Sequence, residues 1–382
     1  MRRHVLRMLA VGLALSTGFT AWAKEPIRIG AVYPMSGPAS FLGIPEDRAL
    51  RMRVEQLNAA GGVNGRKLEV QVYDTEGNGT KMVQQLRRLI ESDRVDVVFG
   101  PSTSGESLLA IAVADEAKVP LIAHGGTEKI VRPAKRYVFN SLPTDRVAIA
   151  HVLGFFRRHG IKTVGLMSAA DGYGQSGRNI LEELAPTYGV RIVAKEEFSR
   201  QDPDMTAQVL RVRQSGADAM LVWGVYPAPT VIARNAKAIG YGKPIFLGYG
   251  AASNDIITGA GAAAEGIYIS SFRLLAPDSV PADDPVKPVV MKLYNDYKAK
   301  YGEAPANFAQ HSYDAILILE AAIKHAKEPI TRDSLRDAIE QVDVVGANGH
   351  FRFTPEDHGG LDLEANPLLM LKVVNGGWQV AE

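Results

Sequence analysis

Short apolar runs alternate with amphipathic segments along the chain, and this alternation predicts strands that are each followed by a helix. Residues 27–32 form an apolar run of strand length. Residues 46–60 carry apolar side chains at helical spacing, and Gly61-Gly62 ends this predicted helix. The same order predicts further strands at 68–73, 95–99 and 120–123 and further helices at 81–92 and 107–117. Because strands that alternate with helices belong to parallel sheets, the pattern favours an α/β fold.

The alternation begins again after Pro143, so the same order of elements occurs twice. The second stretch predicts strands at 163–167, 190–194, 219–223 and 245–247 and helices at 148–159, 175–188, 205–214 and 229–239. Three more helices are expected at 286–301, 309–326 and 335–341, before a hairpin of residues 368–374 and 378–380 around Asn375-Gly376. The repetition predicts two similar α/β lobes joined by short strands rather than by a flexible linker.

The N-terminus has the order of a secretory signal peptide. Three arginines among the first seven residues precede an apolar run at 8–20 and then Ala21-Trp22-Ala23, after which we expect cleavage. The apolar run is about 13 residues long, whereas a membrane-spanning helix needs about 20. No cysteine follows Ala23 to carry a lipid anchor. We therefore predict a signal peptide at residues 1–23 and a secreted protein located in the periplasm.

Composition excludes several classes of function. The formal net charge is +1, and it falls to about −2 without the arginines of the predicted signal peptide, so nothing indicates a nucleic-acid partner. The absence of cysteine excludes disulfides, cysteine-based zinc sites and thiol catalysis. The histidines are scattered without metal-ligand spacing, so no metal is expected. The length favours two domains rather than one.

One segment matches a dinucleotide-binding motif. Residues 172–177 read Gly-Tyr-Gly-Gln-Ser-Gly after a predicted strand and before a predicted helix, and acidic residues follow at Glu196 and Glu197. Asp171 stands at the entrance of this loop, where it would repel a pyrophosphate. Soluble nicotinamide cofactors are also scarce outside the cytoplasm. We therefore interpret the segment as a tight turn that opens a helix, and we expect no cofactor.

Two loops at the ends of predicted strands carry candidate binding groups. Residues 100–105 are rich in hydroxyl groups and precede a helix, whose free N-terminal amides bind anions such as a carboxylate. The alternative is that Ser104 only caps this helix. In the second loop, Gly125 and Gly126 let a ligand approach the backbone closely. His124 has no serine and acid at motif spacing, so it is a pocket residue rather than a base, and no catalytic residue is expected.

A set of longer motifs extends over the chain. They are Met35-Ser36-Gly37-Pro38, the block from Leu57-Asn58-Ala59-Ala60-Gly61-Gly62 through Val63-Asn64-Gly65-Arg66-Lys67-Leu68, Tyr73-Asp74, residues 100–104, Asp171-Gly172-Tyr173-Gly174, Ala264-Glu265-Gly266, Phe351-Arg352-Phe353 and Asp357-His358-Gly359-Gly360. Together they resemble the periplasmic branched-chain-amino-acid-binding proteins of ABC transporters. The resemblance implies a type I binding-protein fold, in which two doubly wound parallel-sheet lobes are joined by three hinge strands and close around a ligand.

The resemblance also implies domain boundaries and partners. Hinge crossings near Leu142, Ser271 and Gly346 would give a first lobe of residues 24–142 and 271–346 and a second lobe of residues 143–270 and 347–382. The implied function is a non-enzymatic receptor that passes a small molecule to the membrane permease of an ABC importer, and we expect a monomer. A sensor subunit that presents ligand to a membrane receptor would use the same fold, and this alternative stays open.

Some binding positions of the family match residues of this chain. The serine that holds the ligand carboxylate matches Ser104, and the residues that hold carboxylate and amine match Gly125 and Thr127. A tyrosine that lines the second lobe matches Tyr173. Other positions depart from the family: tyrosines of the family fall at Leu42 and at Val225, beside Tyr226. The glutamate that pairs with the ligand ammonium falls at Gly250.

The departure at Gly250 changes the expected ligand. A buried ammonium without a carboxylate partner is costly, unless Asp171 or Asp255 supplies the charge. An organic acid, more favourably an aromatic one, is therefore expected ahead of the alternative, a branched-chain or other amino acid. The remaining expected site residues are polar groups of the loops and aromatic walls: Ser102, His124, Phe41, Tyr226 and Tyr249. Trp223 is either such a wall or part of the core.

Overall fold

The structure is a computed structural model that describes residues 24–361 and 368–381. The predicted signal peptide at 1–23 lies outside these ranges and stays a prediction. Within the described residues, the strands form a sheet of five, a sheet of seven and a two-stranded ribbon. No helix of the described ranges combines the length and the apolar character that crossing a bilayer requires.

The first sheet has the order β2-β1-β3-β4-β5, and each of its strand pairs is parallel. Its strands are β1 (Ile27–Tyr33), β2 (Leu68–Asp74), β3 (Val97–Phe99), β4 (Leu121–Ala123) and β5 (Val138–Asn140). The helices between them are α1 (Ser40–Ala59), α2 (Gly79–Glu91) and α3 (Ser104–Glu116). The predicted strand–helix alternation of this half is confirmed. β5 was not predicted, because three residues are too few to show a period.

The second sheet has the order β14-β13-β10-β9-β8-β6-β7, parallel from β7 to β10 and antiparallel at β13 and β14. Its first strands are β6 (Thr163–Ala169), β7 (Arg191–Phe198), β8 (Ala219–Trp223), β9 (Ile245–Leu247) and β10 (Tyr268–Ser271). After the ribbon of β11 (Asp343–Val345) and β12 (His350–Arg352), the sheet is completed by β13 (Leu369–Val374) and β14 (Gly377–Val380). The predicted terminal hairpin is confirmed: Asn375 and Gly376 both adopt positive φ, 52° and 73°, as a tight two-residue turn requires.

Helices cover both sheets. Those of the second half are α4 (Asp145–Arg158), α5 (Gly172–Leu184), α6 (Thr206–Gln214), α7 (Ala228–Ala238) and α8 (Asp255–Ala260), followed by α9 (Lys287–Tyr301), α10 (Ala309–His325) and α11 (Arg332–Ile339). The helix predicted to reach residue 188 ends as an α-helix at Leu184 and continues as a 3₁₀ turn. Pro186 accounts for this end, since it has no N–H to donate to the preceding turn.

Both sheets are buried on both faces, which is why their strands are almost continuously apolar. In the first sheet, Ile29 and Ala31 pack toward α1, α10 and α11, while Val32 packs toward α2 and α3. In the second sheet, Val222 packs toward α6 and α7, and its neighbour Trp223 packs toward α4 and α5. Two doubly wound lobes result, and the predicted fold class is confirmed.

The segment after β11 packs on the first lobe, which differs from the predicted boundary at residue 346. Phe351, Phe353 and Leu361 belong to the same core as β1 and α10. The backbone N–H of Asn140 donates to the carbonyl oxygen of His358 at 3.1 Å. β13 pairs with β10 in the second sheet, whereas residues 347–361 pack on the first lobe, so the predicted placement of residues 347–361 is corrected to the first lobe. The crossings near Leu142 and Ser271 stay predictions.

A buried carboxylate anchors the start of this segment. Asp314 of α10 accepts the backbone N–H groups of Ala347 and Asn348 at 2.6 and 2.7 Å. The Asn348 side chain donates in turn to the carbonyl oxygen of Ser141, which follows β5. Burial raises the pKa of Asp314 to about 7, although the two amide hydrogen bonds act to lower it.

Asp314→Asn should change how stability depends on pH. Between pH 8 and pH 6 the folded wild type takes up a proton at Asp314, while the unfolded chain, with the ordinary pKa of 3.8, stays ionised. Lowering the pH should therefore raise the unfolding free energy of the wild type relative to Asp314→Asn by about 1 kcal/mol. Urea unfolding of both proteins at the two pH values measures this difference. The contributions of the titratable groups that both proteins share cancel in it. A pH-independent difference would contradict the raised pKa.

Candidate functional site

A cleft of about 370 Å³ lies where the two lobes face each other. The first lobe contributes loops that follow β1, β2, β3 and β4, and the second lobe contributes the loops after β6, β7, β8 and β9. The lining residues are Ala39, Leu42, Gly77, Gly79, Ser102, Thr103, Ser104, Gly105, Glu106, Leu109, His124, Gly126, Leu142, Asp171, Gly172, Tyr173, Arg200, Val225, Tyr249, Gly250, Phe308 and His311. The carboxyl ends of parallel strands are where open α/β sheets bind ligands.

Ser104 brings the two predicted binding loops together. Its hydroxyl oxygen accepts the backbone N–H groups of Gly126 and Thr127, both at 3.2 Å. The N-cap of α3 is Thr103, whose side chain accepts the N–H of Glu106, so the alternative in which Ser104 caps this helix is wrong. Because Ser104 is the first residue inside the helix, its hydroxyl points to the neighbouring loop. One wall of the cleft thus gathers a hydroxyl group and several backbone amides.

Seven of the eleven expected site residues line the cleft: Leu42, Ser102, Ser104, His124, Tyr173, Tyr249 and Gly250. Two of the others lie just behind this wall. Gly125 is buried, and its carbonyl oxygen accepts from the Asn140 side chain at 3.0 Å. Thr127 turns its hydroxyl to Ser176 of the second lobe, at 2.7 Å. These two residues therefore support the cleft wall and do not themselves line the cleft.

Phe41 and Tyr226 do not line the cleft. Their rings meet edge to face, with centroids 5.8 Å apart, so they join the two lobes beside it. Phe41 faces a separate cavity that also includes Asp255. The expectation that these two rings form walls of the main cleft is therefore not met by their positions.

Two tyrosines form the wall of the second lobe. The rings of Tyr173 and Tyr249 meet edge to face at 5.8 Å, and Trp223 stacks behind Tyr173 at 5.4 Å. Trp223 is completely buried, so it belongs to the core. The Tyr249 hydroxyl donates to the carbonyl oxygen of Pro143 at 3.1 Å, and it also lies 3.4 Å from the carbonyl oxygen of Gly126 in the first lobe. The backbone at Gly126 passes so close to this hydroxyl that a Cβ would collide with it.

Gly250 leaves no room for a side chain. A Cβ at this position would lie 2.7 Å from the ring of Tyr173 and 3.0 Å from Val225. The Gly250 N–H donates to the Tyr173 hydroxyl at 3.3 Å. The ring of Tyr173 therefore occupies the space into which a longer residue at position 250 would extend.

A family model described as a periplasmic binding protein matches residues 26–377 of the chain. The chain belongs to this family. The match includes both lobes and the loops that meet in the cleft, and it confirms the resemblance that the sequence motifs indicated.

Relatives of this periplasmic binding protein match over nearly their whole length. The Leu/Ile/Val-binding protein homolog 8 of Brucella suis is 26% identical over 359 residues, which cover 88% of this chain and 85% of the relative. An extracellular ligand-binding receptor from Rhodopseudomonas palustris has a TM-score of 0.86 at 27% identity, covering 93% of this chain and 99% of that one. A branched-chain amino acid transporter substrate binding protein from Streptococcus pneumoniae, solved with isoleucine, has a TM-score of 0.81 at 26% identity over 93% and 99% of the two chains.

The comparisons therefore define the type of protein. It is a periplasmic ligand-binding receptor, and the expectation of a non-enzymatic receptor is confirmed. Members of the family bind small molecules and work with the permeases of ABC transporters. Among the described residues, no cluster of three or more histidine, cysteine, aspartate or glutamate side chains is arranged to hold a metal ion.

The two acids expected to replace the missing glutamate are differently placed in this periplasmic binding protein. Asp171 lines the cleft, but it caps α5 by accepting the N–H of Gly174 at 2.8 Å, and it lies 3.5 Å from Arg200. Because Asp171 caps α5, the Gly-rich segment of residues 172–177 is the start of this helix. Asp255 lies outside the cleft and accepts a hydrogen bond from Ser253. Neither acid is left free for a ligand ammonium.

Glu106, an acid on the first-lobe wall, is not among the residues predicted from the sequence. Glu106 is 3% exposed, and its Oε2 accepts from the Thr103 hydroxyl at 2.7 Å. Its Oε1 is buried and has no hydrogen-bond partner within the described ranges. Burial raises the pKa of Glu106, and the nearby hydroxyl groups of Thr75 and Thr103 partly offset this effect. A Thr-x-x-Glu pattern indicates a helix cap, so it gives no sign that the same carboxylate also borders a cleft.

A second missed group lies deeper. Glu46 of α1 is completely buried, and its carboxylate faces the rings of His124 and His311 and the hydroxyl of Ser102. The two histidines and Ser102 line the cleft. Glu46, His124 and His311 come from three distant parts of the chain, so no motif in the sequence joins them.

Gly250→Ala should destabilise this periplasmic binding protein, because the added Cβ overlaps the ring of Tyr173. We expect a loss of about 1–3 kcal/mol in unfolding free energy, the usual cost of overpacking. Chemical denaturation measures it. The matched control is Gly242→Ala, at a position where a Cβ meets no atom within 4 Å. Equal stability of the two variants would show that Tyr173 moves aside and that position 250 is not sterically closed.

Proposed function

We propose that this protein is the periplasmic receptor of an ABC importer and that its ligand is a small amino acid bound as a zwitterion. The observation that carries this proposal is that one cleft contains both a hydrogen-bond donor for a carboxylate and an acid for an ammonium. The Ser104 hydroxyl accepts the amides of Gly126 and Thr127, which leaves its own hydrogen to donate into the cleft, and an unpartnered carboxylate oxygen lies nearby in sequence and structure at Glu106. The names of the relatives, which include Leu/Ile/Val-binding proteins and a complex with isoleucine, support the same ligand class.

The donor side of the cleft suits the ligand carboxylate. The first turn of α3 has free amides and the positive end of the helix dipole, and both favour an anion. Ser104 accepts the amides of Gly126 and Thr127 in the structure, and its own hydroxyl hydrogen is available to a ligand. A carboxylate here would accept charge-assisted hydrogen bonds, which are the stronger kind.

The acceptor side suits the ligand ammonium. Asp171 is paired with Arg200, and Glu46 is paired with histidines, whereas Oε1 of Glu106 has no partner among the described residues. An ionised Glu106 would repel a ligand that carries only a carboxylate and would attract one that also carries an ammonium. The charge that position 250 lacks is thus available from the opposite lobe, and this placement favours an amino acid over the aromatic acid expected from the sequence.

An aromatic carboxylate is the second candidate. Arg200 lines the cleft, and Tyr173 and Tyr249 offer flat surfaces to a ring. Because burial raises the pKa of Glu106, a protonated Glu106 would tolerate such a ligand. The two candidates differ in their dependence on this one side chain.

The receptor is proposed to work by lobe closure. Contacts between the lobes include the pair Thr127 and Ser176, the hydrogen bond from Tyr249 to Gly126, and an ion pair between Arg146 and Glu128. A closed form of this kind encloses the ligand and is the form that a permease would recognise. The signal peptide predicted at residues 1–23 would deliver the protein to the periplasm.

Glu106→Gln should separate the two ligand classes. Removing the charge should weaken the binding of leucine, isoleucine and valine about 10- to 100-fold, the value of a hydrogen bond to a charged group. Benzoate and hydroxylated aromatic acids should bind equally or better. Calorimetric titration measures both, and Glu116→Gln at the exposed end of the same helix is the control. Aromatic acids that bind the wild type more tightly than every amino acid would reverse the proposal.

Ser104→Ala should weaken the binding of either ligand class about 10- to 100-fold, because both carry the carboxylate that this wall is proposed to hold. The fold should persist, since Ser104 lies at the rim of the sheet rather than in its core. Titration together with thermal denaturation checks both statements. Unchanged affinity in a folded variant would show that the carboxylate binds elsewhere.

Ligand should also make the protein more compact. If the lobes close on the ligand, small-angle X-ray scattering should give a smaller radius of gyration at saturation than without ligand, as hinge closure requires. The same radius in both states would contradict closure.

A further inference from the structure

The buried carboxylate of Glu46 fixes the orientation of two cleft histidines. Its Oε2 accepts from the hydroxyl of Ser102, and its Oε1 lies 3.1 Å from Nδ1 of His311 and 3.4 Å from Nδ1 of His124. All four residues are at most 6% exposed. Since the two imidazoles and Ser102 line the cleft, this cluster forms its floor on the first-lobe side.

The carboxylate also selects the tautomer of His311. An ionised carboxylate only accepts hydrogen bonds, so Nδ1 of His311, which is hydrogen-bonded to it, must carry the hydrogen. In a neutral imidazole the opposite nitrogen, Nε2, is then an acceptor. Burial lowers the pKa of His311, and this ring is therefore neutral. Burial acts to raise the pKa of Glu46, but the two histidines that face it outweigh this effect, so the carboxylate stays ionised.

The acceptor nitrogen of His311 is left without a partner. Nε2 of His311 and both ring nitrogens of His124 are buried, and none of the three has a hydrogen-bond partner in the described parts of the chain. The surroundings are aromatic: His124 stacks on Tyr33 at 5.6 Å, and His311 meets the rings of Phe272 and Phe308 at 5.9 and 5.8 Å. A buried acceptor without a donor is costly. A donor on a ligand in the cleft would satisfy it.

We propose that Nε2 of His311, beside the ring of His124, forms a polar subsite that accepts a hydrogen bond from the side chain of the bound amino acid. The preferred ligand is then an amino acid whose side chain carries a hydroxyl or amide donor, rather than a purely aliphatic one. This inference rests on the proposed function, in which Ser104 and Glu106 hold the carboxylate and ammonium that all amino acids share. The histidines would contact the side chain of the ligand, which is the part by which amino acids differ.

Isosteric ligands test the subsite without any mutation. Threonine and valine have nearly the same shape, as do asparagine and leucine, but only the first member of each pair carries a side-chain donor. Calorimetric titration of the wild type should give affinities at least tenfold higher for threonine over valine and for asparagine over leucine, or for one of these pairs. A site built around buried acceptors rejects an isostere that leaves them unpaired.

His311→Asn and His124→Asn then identify the atoms. Asparagine places an N–H₂ donor close to the position of Nδ1, so the contact with Glu46 is retained while the Nε2 acceptor is removed. The preference for the donor-bearing ligand should fall at least fivefold in one or both variants, with the aliphatic ligand changed less than threefold. His151→Asn is the control, because His151 contacts Ser270 in the second lobe and does not line the cleft. Thermal denaturation without ligand confirms that each variant is folded.

The outcomes separate this inference from the proposed function on which it rests. Binding of all four amino acids with no preference within either pair overturns the subsite and leaves the zwitterion site intact. A His311→Asn or His124→Asn variant that weakens both members of a pair equally also overturns it, because the ring would then serve a group common to both ligands. If a variant does not fold, the wild-type ratios decide. Failure of all four to bind overturns both the subsite and the amino-acid proposal.

Discussion

The parallel pairing of β3 with β4 is the constraint on which the cleft depends. Val98 aligns with Leu121 and Phe99 with Ile122, so both strands end at the same edge of the sheet. The chain leaves β3 into the loop that begins α3, and it leaves β4 into the loop of His124 to Thr127. Ser104 can therefore accept the amides of Gly126 and Thr127, which lie 22 and 23 residues further along the chain. Without this register the donors would not converge.

The polar groups of the cleft are divided unequally between the two lobes. The Tyr173 ring fills the space next to Gly250, so the second lobe offers aromatic surface and few charges there. Glu106, Glu46, His124 and His311 all belong to the first lobe. The polar side chains of the cleft are thus concentrated on one side, and the second lobe contributes mainly aromatic surface together with the Asp171–Arg200 pair. In the proposed mechanism, such a division would let a ligand bind to the first lobe before closure excludes water.

Sequence patterns predicted the parts of the molecule that depend on local periodicity. The strands of β1 and β8 and the Asn375-Gly376 turn were predictable because apolar runs and turn residues act over a few positions. The role of Thr103 as the helix cap was not, since three adjacent hydroxyl residues offer equivalent caps. Glu46 and His311 are 265 positions apart and meet only in the folded core. The position of Trp223 behind Tyr173 likewise depends on packing between elements.

The glycine at position 126 has a further consequence for the energetics of the receptor. Tyr249 approaches its backbone more closely than any other residue type would permit. If the lobes close on the ligand as proposed, this contact limits how far they approach each other. A side chain at position 126 would then lower the population of the closed state. Because apparent affinity scales with the fraction of molecules in the binding-competent state, such a side chain would weaken binding by this route.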